Sequence, residues 1–279
     1  MNLGKNVRVT KNWVNRVAEK HIYELGKRID IFFFLVSTLL FVVSCVNGST
    51  RCLDRSRIEK EPGFIFAEDY VAGYEIGYKF GATNEEKAIS SMVQIETAKK
   101  NYLNSKPPTG QEILAVLNSK DNHRNKVALG AMVLQPLPEY DVVRKIVSFL
   151  NHPCQLHRDF VSLALLTIEK DNIKDFQDLG DEIFQIAKKE GDDLVLARGI
   201  ETLGKFNNPK YLQFIVKYLR KTHNPLFYYS SFHALKEMDD KYFQQVRRQL
   251  KKEGDLKTLE SIDRTEDFWK RTQRPLPES

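Results

Sequence analysis

The sequence predicts an all-α fold assembled from pairs of short antiparallel helices, on three observations. From about position 68 to 253, apolar residues recur at three- and four-residue spacing, with breaks at Asn, Asp, Gly and Pro. No stretch alternates apolar and polar residues as a half-buried strand would. In the second half, the ten residues at 195–204 (VLARGIETLG) are matched 32 positions later by 227–236 (FYYSSFHALK). At 279 residues, 42% hydrophobic and 29% charged, the chain has the length and composition to bury a core.

Positions 31–45 read IFFFLVSTLLFVVSC behind Lys27 and Arg28, fifteen residues in all. A bilayer-spanning helix needs about twenty apolar residues, whereas a secretory signal core needs only about 7–15 behind a positive flank. The run ends in Val42-Val43-Ser44-Cys45. That ending resembles the lipobox of bacterial lipoproteins, in which aliphatic and small residues precede an obligatory cysteine. The resemblance implies a diacylglycerol on the Cys45 sulfur and cleavage between Ser44 and Cys45. Several acyl chains, at about 0.8 kcal/mol per buried CH₂, hold a protein on a membrane where one is marginal. Val46 stands where enterobacterial lipoproteins retained in the inner membrane carry aspartate, which implies an outer-membrane address facing the periplasm or the surface. Because about thirty residues precede the apolar core, two alternatives stay open: a downstream translation start, and an uncleaved signal anchor with a cytoplasmic tail. A buried helix that happens to end in cysteine is the third.

The leader also accounts for the charge. The chain carries a net +6, but residues 1–45 hold seven Lys and Arg against three acids, which leaves 36 basic and 34 acidic residues behind them. With most of the excess in the leader, no nucleic-acid partner is expected. The three cysteines are Cys45, Cys52 and Cys154, with no CxxC pair. Lipidation of Cys45 leaves Cys52 and Cys154 to pair or to stay reduced. Residues 45–63 lack any apolar period and read as a lipidated tether.

A helical segment follows over 64–105, as two helices at 66–81 and 84–104. Gly73, Gly77 and Gly81 share one face of the first, and Tyr70, Tyr74 and Tyr78 form a second stripe beside it. Three glycines in register predict a close helix–helix contact, and the charges of Glu68, Asp69, Glu75 and Lys79 exclude a membrane span.

Repeats are expected over 106–253. Second-helix patterns fall at 195–204 and 227–236, with looser copies at 161–170 and 127–136. First helices fall between them at 140–150, 181–190 and 209–219. Asn208-Pro209 and Asn224-Pro225 each place a capping Asn before a helix whose first residue is Pro, where a missing N–H costs nothing. Leu203-Gly204-Lys205-Phe206-Asn207-Asn208-Pro209, with Tyr211-Leu212, Ile215-Val216, Tyr218-Leu219 and Ala234-Leu235, resembles HEAT-type repeats. The resemblance implies a right-handed α-solenoid of stacked antiparallel helix pairs, with Gly199 and Ser231 at small-residue positions where neighbouring second helices approach closely. It is good over 174–238, fair over 109–170 and absent before about 105. Leu196 and Tyr228 stand where the family often has a basic or polar residue, so the family's average partner surface does not carry over. Residues 241–253 supply a closing helix, and 254–279 a C-terminal helix and tail.

No G-x-S-x-G, H-E-x-x-H or P-loop is present, and no catalytic residue or cofactor is expected. His152-x-Cys154-x-x-His157 has metal-ligand residue types, but it falls at an inter-helix turn beside Pro153 and short of the four ligands of a structural zinc site, so no metal is expected. Asp192-Asp193 and Asp239-Asp240 are expected as helix caps. Tyr228, Tyr229 and Phe232 cannot all face the core of one helix and are the candidate binding residues. The function expected is a lipid-anchored scaffold or adaptor for an unknown protein partner in the cell envelope. The alternatives are an enzyme or enzyme accessory with a pocket where the 66–81 helix meets the repeats, and a structural envelope protein.

Overall fold

The computed structural model describes residues 62–80 and 84–272, and among them every regular element is helical, with no strand. Cys45, Ser44, Cys52 and the apolar run at 31–45 lie outside the described residues. Among those described, no helix is long and apolar enough to cross a membrane.

Residues 62–259 belong to one compact unit, and residues from Glu260 onward to a second. The described part of the first opens with a 3-10 turn, Pro62–Phe64, that takes in the last two positions of the expected tether. Helices α1 (Ile65–Phe80) and α2 (Glu85–Leu103) then pack on each other. Asn84 starts α2 by accepting from the Lys87 N–H, within one residue of the expected boundary. The glycine face of α1 is where α2 sits. A Cβ at Gly77 would lie 2.6 Å from Ser91 Oγ, and one at Gly73 would lie 3.1 Å from Ile95. The Ser91 hydroxyl donates to the Gly73 carbonyl at 2.6 Å, so the missing side chains admit a polar tie between the two helices.

The chain continues through α3 (Gly110–Leu117), α4 (Asn122–Leu134), α5 (Tyr140–Ser148), α6 (Gln155–Thr167), the single turn α7 (Lys170–Ile173), α8 (Gln177–Ala187), α9 (Asp193–Lys205), α10 (Leu212–Leu219), α11 (Pro225–Glu237) and α12 (Asp240–Glu253). Helices α4, α6, α9 and α11 each pack on the one before, and α4 packs on α1. Consecutive partners α3 with α4, α5 with α6, α8 with α9 and α10 with α11 are in contact as well. The buried faces are those that period-3.6 patterning requires: Val142, Val143, Ile146 and Val147 on α5, and Leu212, Ile215, Val216 and Leu219 on α10.

Two expected helix starts and one expected helix contact are corrected. The helix expected at 181–190 runs from Gln177 to Ala187, because the backbone N–H groups of Leu179 and Gly180 already bond to the Phe176 carbonyl. The helix expected from Pro209 opens as a 3-10 turn, Pro209–Tyr211, before α10 begins. The close approach between second helices is not at Gly199, whose Cβ would meet only Ala187 of α8 at 3.8 Å. It lies at Gly204, where a Cβ would fall 2.3 Å from the Ala234 carbonyl oxygen of α11.

The turns are held by side chains. Asp192 caps α9 by accepting from the N–H groups of Leu194 and Val195, and Asn224 caps α11 through the N–H of Phe227. Asp239 makes no side-chain cap, against expectation; its N–H instead donates to the Asn207 side chain at 2.9 Å. Asn207 reaches that position in the left-handed region, at φ 50°. The Lys205 ammonium donates to the carbonyls of Leu166 and Ile168, placing a cation on the free C-terminal carbonyls of α6.

In the second unit the described residues are the C-terminal part of α13 (Leu256–Thr272), where Ile262 and Thr265 are buried.

Candidate functional site

Polar chemistry gathers where α5 hands over to α6. The turn Phe149–Asn151 and Pro153 close one side of an open cleft of about 620 Å³, and the C-terminal end of α8 with Gly191 and Asp192 closes the other. His152, Arg158, Glu190 and Asp192 bring the charge and hydrogen-bonding capacity of its wall. Arg158 holds the two sides together: Nε donates to Glu190 at 3.1 Å and Nη1 to the His152 carbonyl at 2.9 Å. The cleft takes no residue from α1, so it is not the pocket expected where the 66–81 helix meets the repeats.

Behind that wall the ligand atoms of His152, Cys154 and His157 lie within 4.8 Å of one another. The two imidazole rings stack, with centroids 4.1 Å apart. His157 is wholly buried, and its Nε2–H donates to the Asn122 carbonyl at 2.9 Å. A carbonyl accepts only, so that bond fixes the tautomer and leaves Nδ1 with a bare lone pair, which has no hydrogen-bond partner. Burial, then the neighbouring His152, pulls the His157 imidazole down to about 3, so the ring is neutral at physiological pH. The His152 ring accepts at Nδ1 from the Cys154 N–H at 3.1 Å, and burial lowers its pKa also. Cys154 is buried and disulfide-bonded, with its partner sulfur outside the described residues. The sequence pattern placed these three residues in a polar turn; the α6 start at Gln155 is what folds them together.

One turn further into α6, Asp159 is buried with Arg198 of α9 and Tyr74 of α1. Arg198 forms an ion pair with Asp159 Oδ1 and also donates to the Asp159 carbonyl, while Tyr74 donates to Oδ2 at 2.6 Å. Burial pushes the Asp159 carboxyl up against the pull of the Arg198 guanidinium and the Tyr74 bond. Phe160 closes the cluster, with its ring 4.6 Å from that of Tyr74. Nothing opens this network to the cleft, and its chemistry is structural: it ties α1, α6 and α9 together.

The candidate binding residues divide. Phe232 is fully buried with its ring edge-on to Phe243, and Tyr228 is buried, so neither offers a docking face. Tyr229 is 37% exposed. A more extended apolar surface lies on α2, which sequence reading passed over: Ile89, Met92, Val93 and Leu103 are all exposed. Their spacing places them on one side of the helix, with Glu96 and Lys100 between them, opposite the face that meets α1.

No protein family, no characterised protein and no solved structure matches this chain.

Proposed function

We propose that the protein is a lipid-anchored scaffold of the bacterial cell envelope, tethered through Cys45, whose body is a right-handed HEAT-like stack of helix pairs. The observation that carries the stack is the interval between bonded partners. Hydrogen bonds between successive units join residues 29 to 39 positions apart: Gln177 to Phe206, Asn208 to Gln177, Tyr211 to Asp181, Arg158 to Glu190, Asp239 to Asn207, His157 to Asn122 and Arg198 to Asp159. A chain of two short helices per unit, each resting on the one before, has this signature, since such units bury their faces only by stacking.

The address draws support from Cys154. A disulfide persists in oxidising compartments and not in the cytosol, which suits a domain held outside the inner membrane. Lipid on the Cys45 sulfur would leave Cys52 as the cysteine available to Cys154. The reading of the body as an adaptor draws on α2, whose exposed apolar side is of the kind that marks protein interaction sites.

Two variants test the two halves. Labelled palmitate is incorporated by the native chain and not by Cys45→Ala; absence of incorporation by the native chain contradicts lipid anchoring and favours an uncleaved anchor. Met92→Glu with Val93→Glu, both at exposed positions, keeps the helical content but abolishes recovery of a stoichiometric cross-linked envelope partner. Equal recovery by the substituted and native chains, or none by either, rejects α2 as the interaction surface.

A further inference from the structure

We propose that His152, Cys154 and His157 form a zinc site that the Cys154 disulfide keeps closed, so that metal binding and oxidation of this turn exclude each other. The inference goes beyond the scaffold reading and does not depend on it.

The donors suit the ion. Zinc takes imidazole nitrogen and thiolate sulfur, and three protein ligands with a fourth position left to water make a stable open site. Three such groups converge here within 4.8 Å. Convergence alone is weak, but His157 adds an independent sign. Histidines that bind metal characteristically give their other ring N–H to a carbonyl, which sets the tautomer and aims the lone pair. His157 makes that bond to Asn122, and its Nδ1 is left buried without a partner, at the cost a buried acceptor bears when nothing satisfies it. Such an atom in a native fold calls for an explanation, and a metal ion supplies one.

His152 provides the route and the adjustable ligand. It lines the cleft, while His157 and Cys154 lie behind it, so an ion entering from the cleft meets His152 first. Either nitrogen of its ring can ligate only by giving up the bond accepted from the Cys154 N–H: Nδ1 because its lone pair is used, Nε2 because a neutral ring then carries its proton on Nδ1. The bond given up is a single neutral one between backbone and ring.

Cys154 sets the condition. A sulfur in a disulfide has no thiolate to offer, so the site is closed as the structure stands. A trialkylphosphine opens it with full balance: phosphine, disulfide and water give the phosphine oxide and two thiols. Zinc then displaces the Cys154 thiol proton, and one proton is released to solvent per ion bound.

The test uses the purified native protein in detergent, stripped of metal, in oxidised and phosphine-reduced forms, with Zn²⁺ competed against a chromophoric chelator. The expected result is one zinc per reduced chain and none per oxidised chain, with affinity at least about tenfold weaker in His152→Ala and in Cys154→Ser. His152→Ala removes a half-exposed ring and so keeps the fold where substitution at His157 endangers it. Co²⁺ gives a second readout: thiolate-to-cobalt charge-transfer absorption in the reduced chain, retained in Cys52→Ser and lost in Cys154→Ser. Absence of stoichiometric zinc in the reduced chain, equal binding by the oxidised chain, or binding indifferent to both substitutions overturns the proposal.

Discussion

Gly204 is where a single methyl group would do most harm. Its Cβ would fall 2.5 Å from the Ala234 Cα and 2.3 Å from the Ala234 oxygen, and backbone cannot swing aside as a flexible side chain can. Gly204→Ala is therefore expected to cost about 1–3 kcal/mol or more by forcing α9 from α11, seen as a lowered denaturation midpoint. Gly199→Ala, against an ordinary van der Waals neighbour at 3.8 Å, is expected to leave the midpoint unchanged or raised. The repeat pattern led to the wrong glycine of the two. Spacing marks both as small, and only the relative rotation of two helices tells which one faces backbone. The Asp159–Arg198 pair was hidden for the same reason: two charges 39 positions apart carry no sign in sequence that they meet in the interior. Asp159→Asn or Arg198→Met alone leaves the other charge buried and is expected to cost about 3–5 kcal/mol. Replacing both by apolar residues of similar volume recovers most of that loss in a double-mutant cycle.

Helix by helix, the sequence was more informative. The ends of α2, the Asp192 cap of α9 and the Pro-initiated start of α11 follow from Asn, Asp and Pro at their usual places. Gly254 past the end of α12, at φ 74°, is likewise a residue that sequence can place, because a left-handed stop after Lys251-Lys252 favours glycine. What local pattern missed is which turns use their caps: Asp239 resembles Asp192 in sequence, yet its neighbourhood gives its N–H to Asn207. Helix α11 carries a pH dependence of its own. Burial pulls the His233 imidazole down to about 3, against an ordinary value of 6.5. The unfolded chain therefore takes up a proton below about pH 6.5 that the native chain refuses until about pH 3. The stability from this group is full above pH 6.5 and declines as pH falls toward 3, by at most about 1.4 kcal/mol per pH unit. His233→Gln is expected to flatten that part of the stability–pH profile; an unchanged slope would place the dependence elsewhere.

For the molecule as a whole, the all-α class was legible because period-3.6 patterning and regular breaks leave little else to build. The candidate site was legible only as residue types. His152, Cys154 and His157 stand together in the sequence, but the bond that aims His157 comes from Asn122, 35 positions away. The central claim is that Cys45 carries the lipid, and the three cysteines make it countable. The decisive measurement is intact-mass analysis of the purified native protein with thiol alkylation before and after reduction. The account predicts the mass of residues 45–279 plus acyl chains, no alkylated thiol before reduction and two after it. A full-length mass with one alkylated thiol before reduction and three after would contradict it.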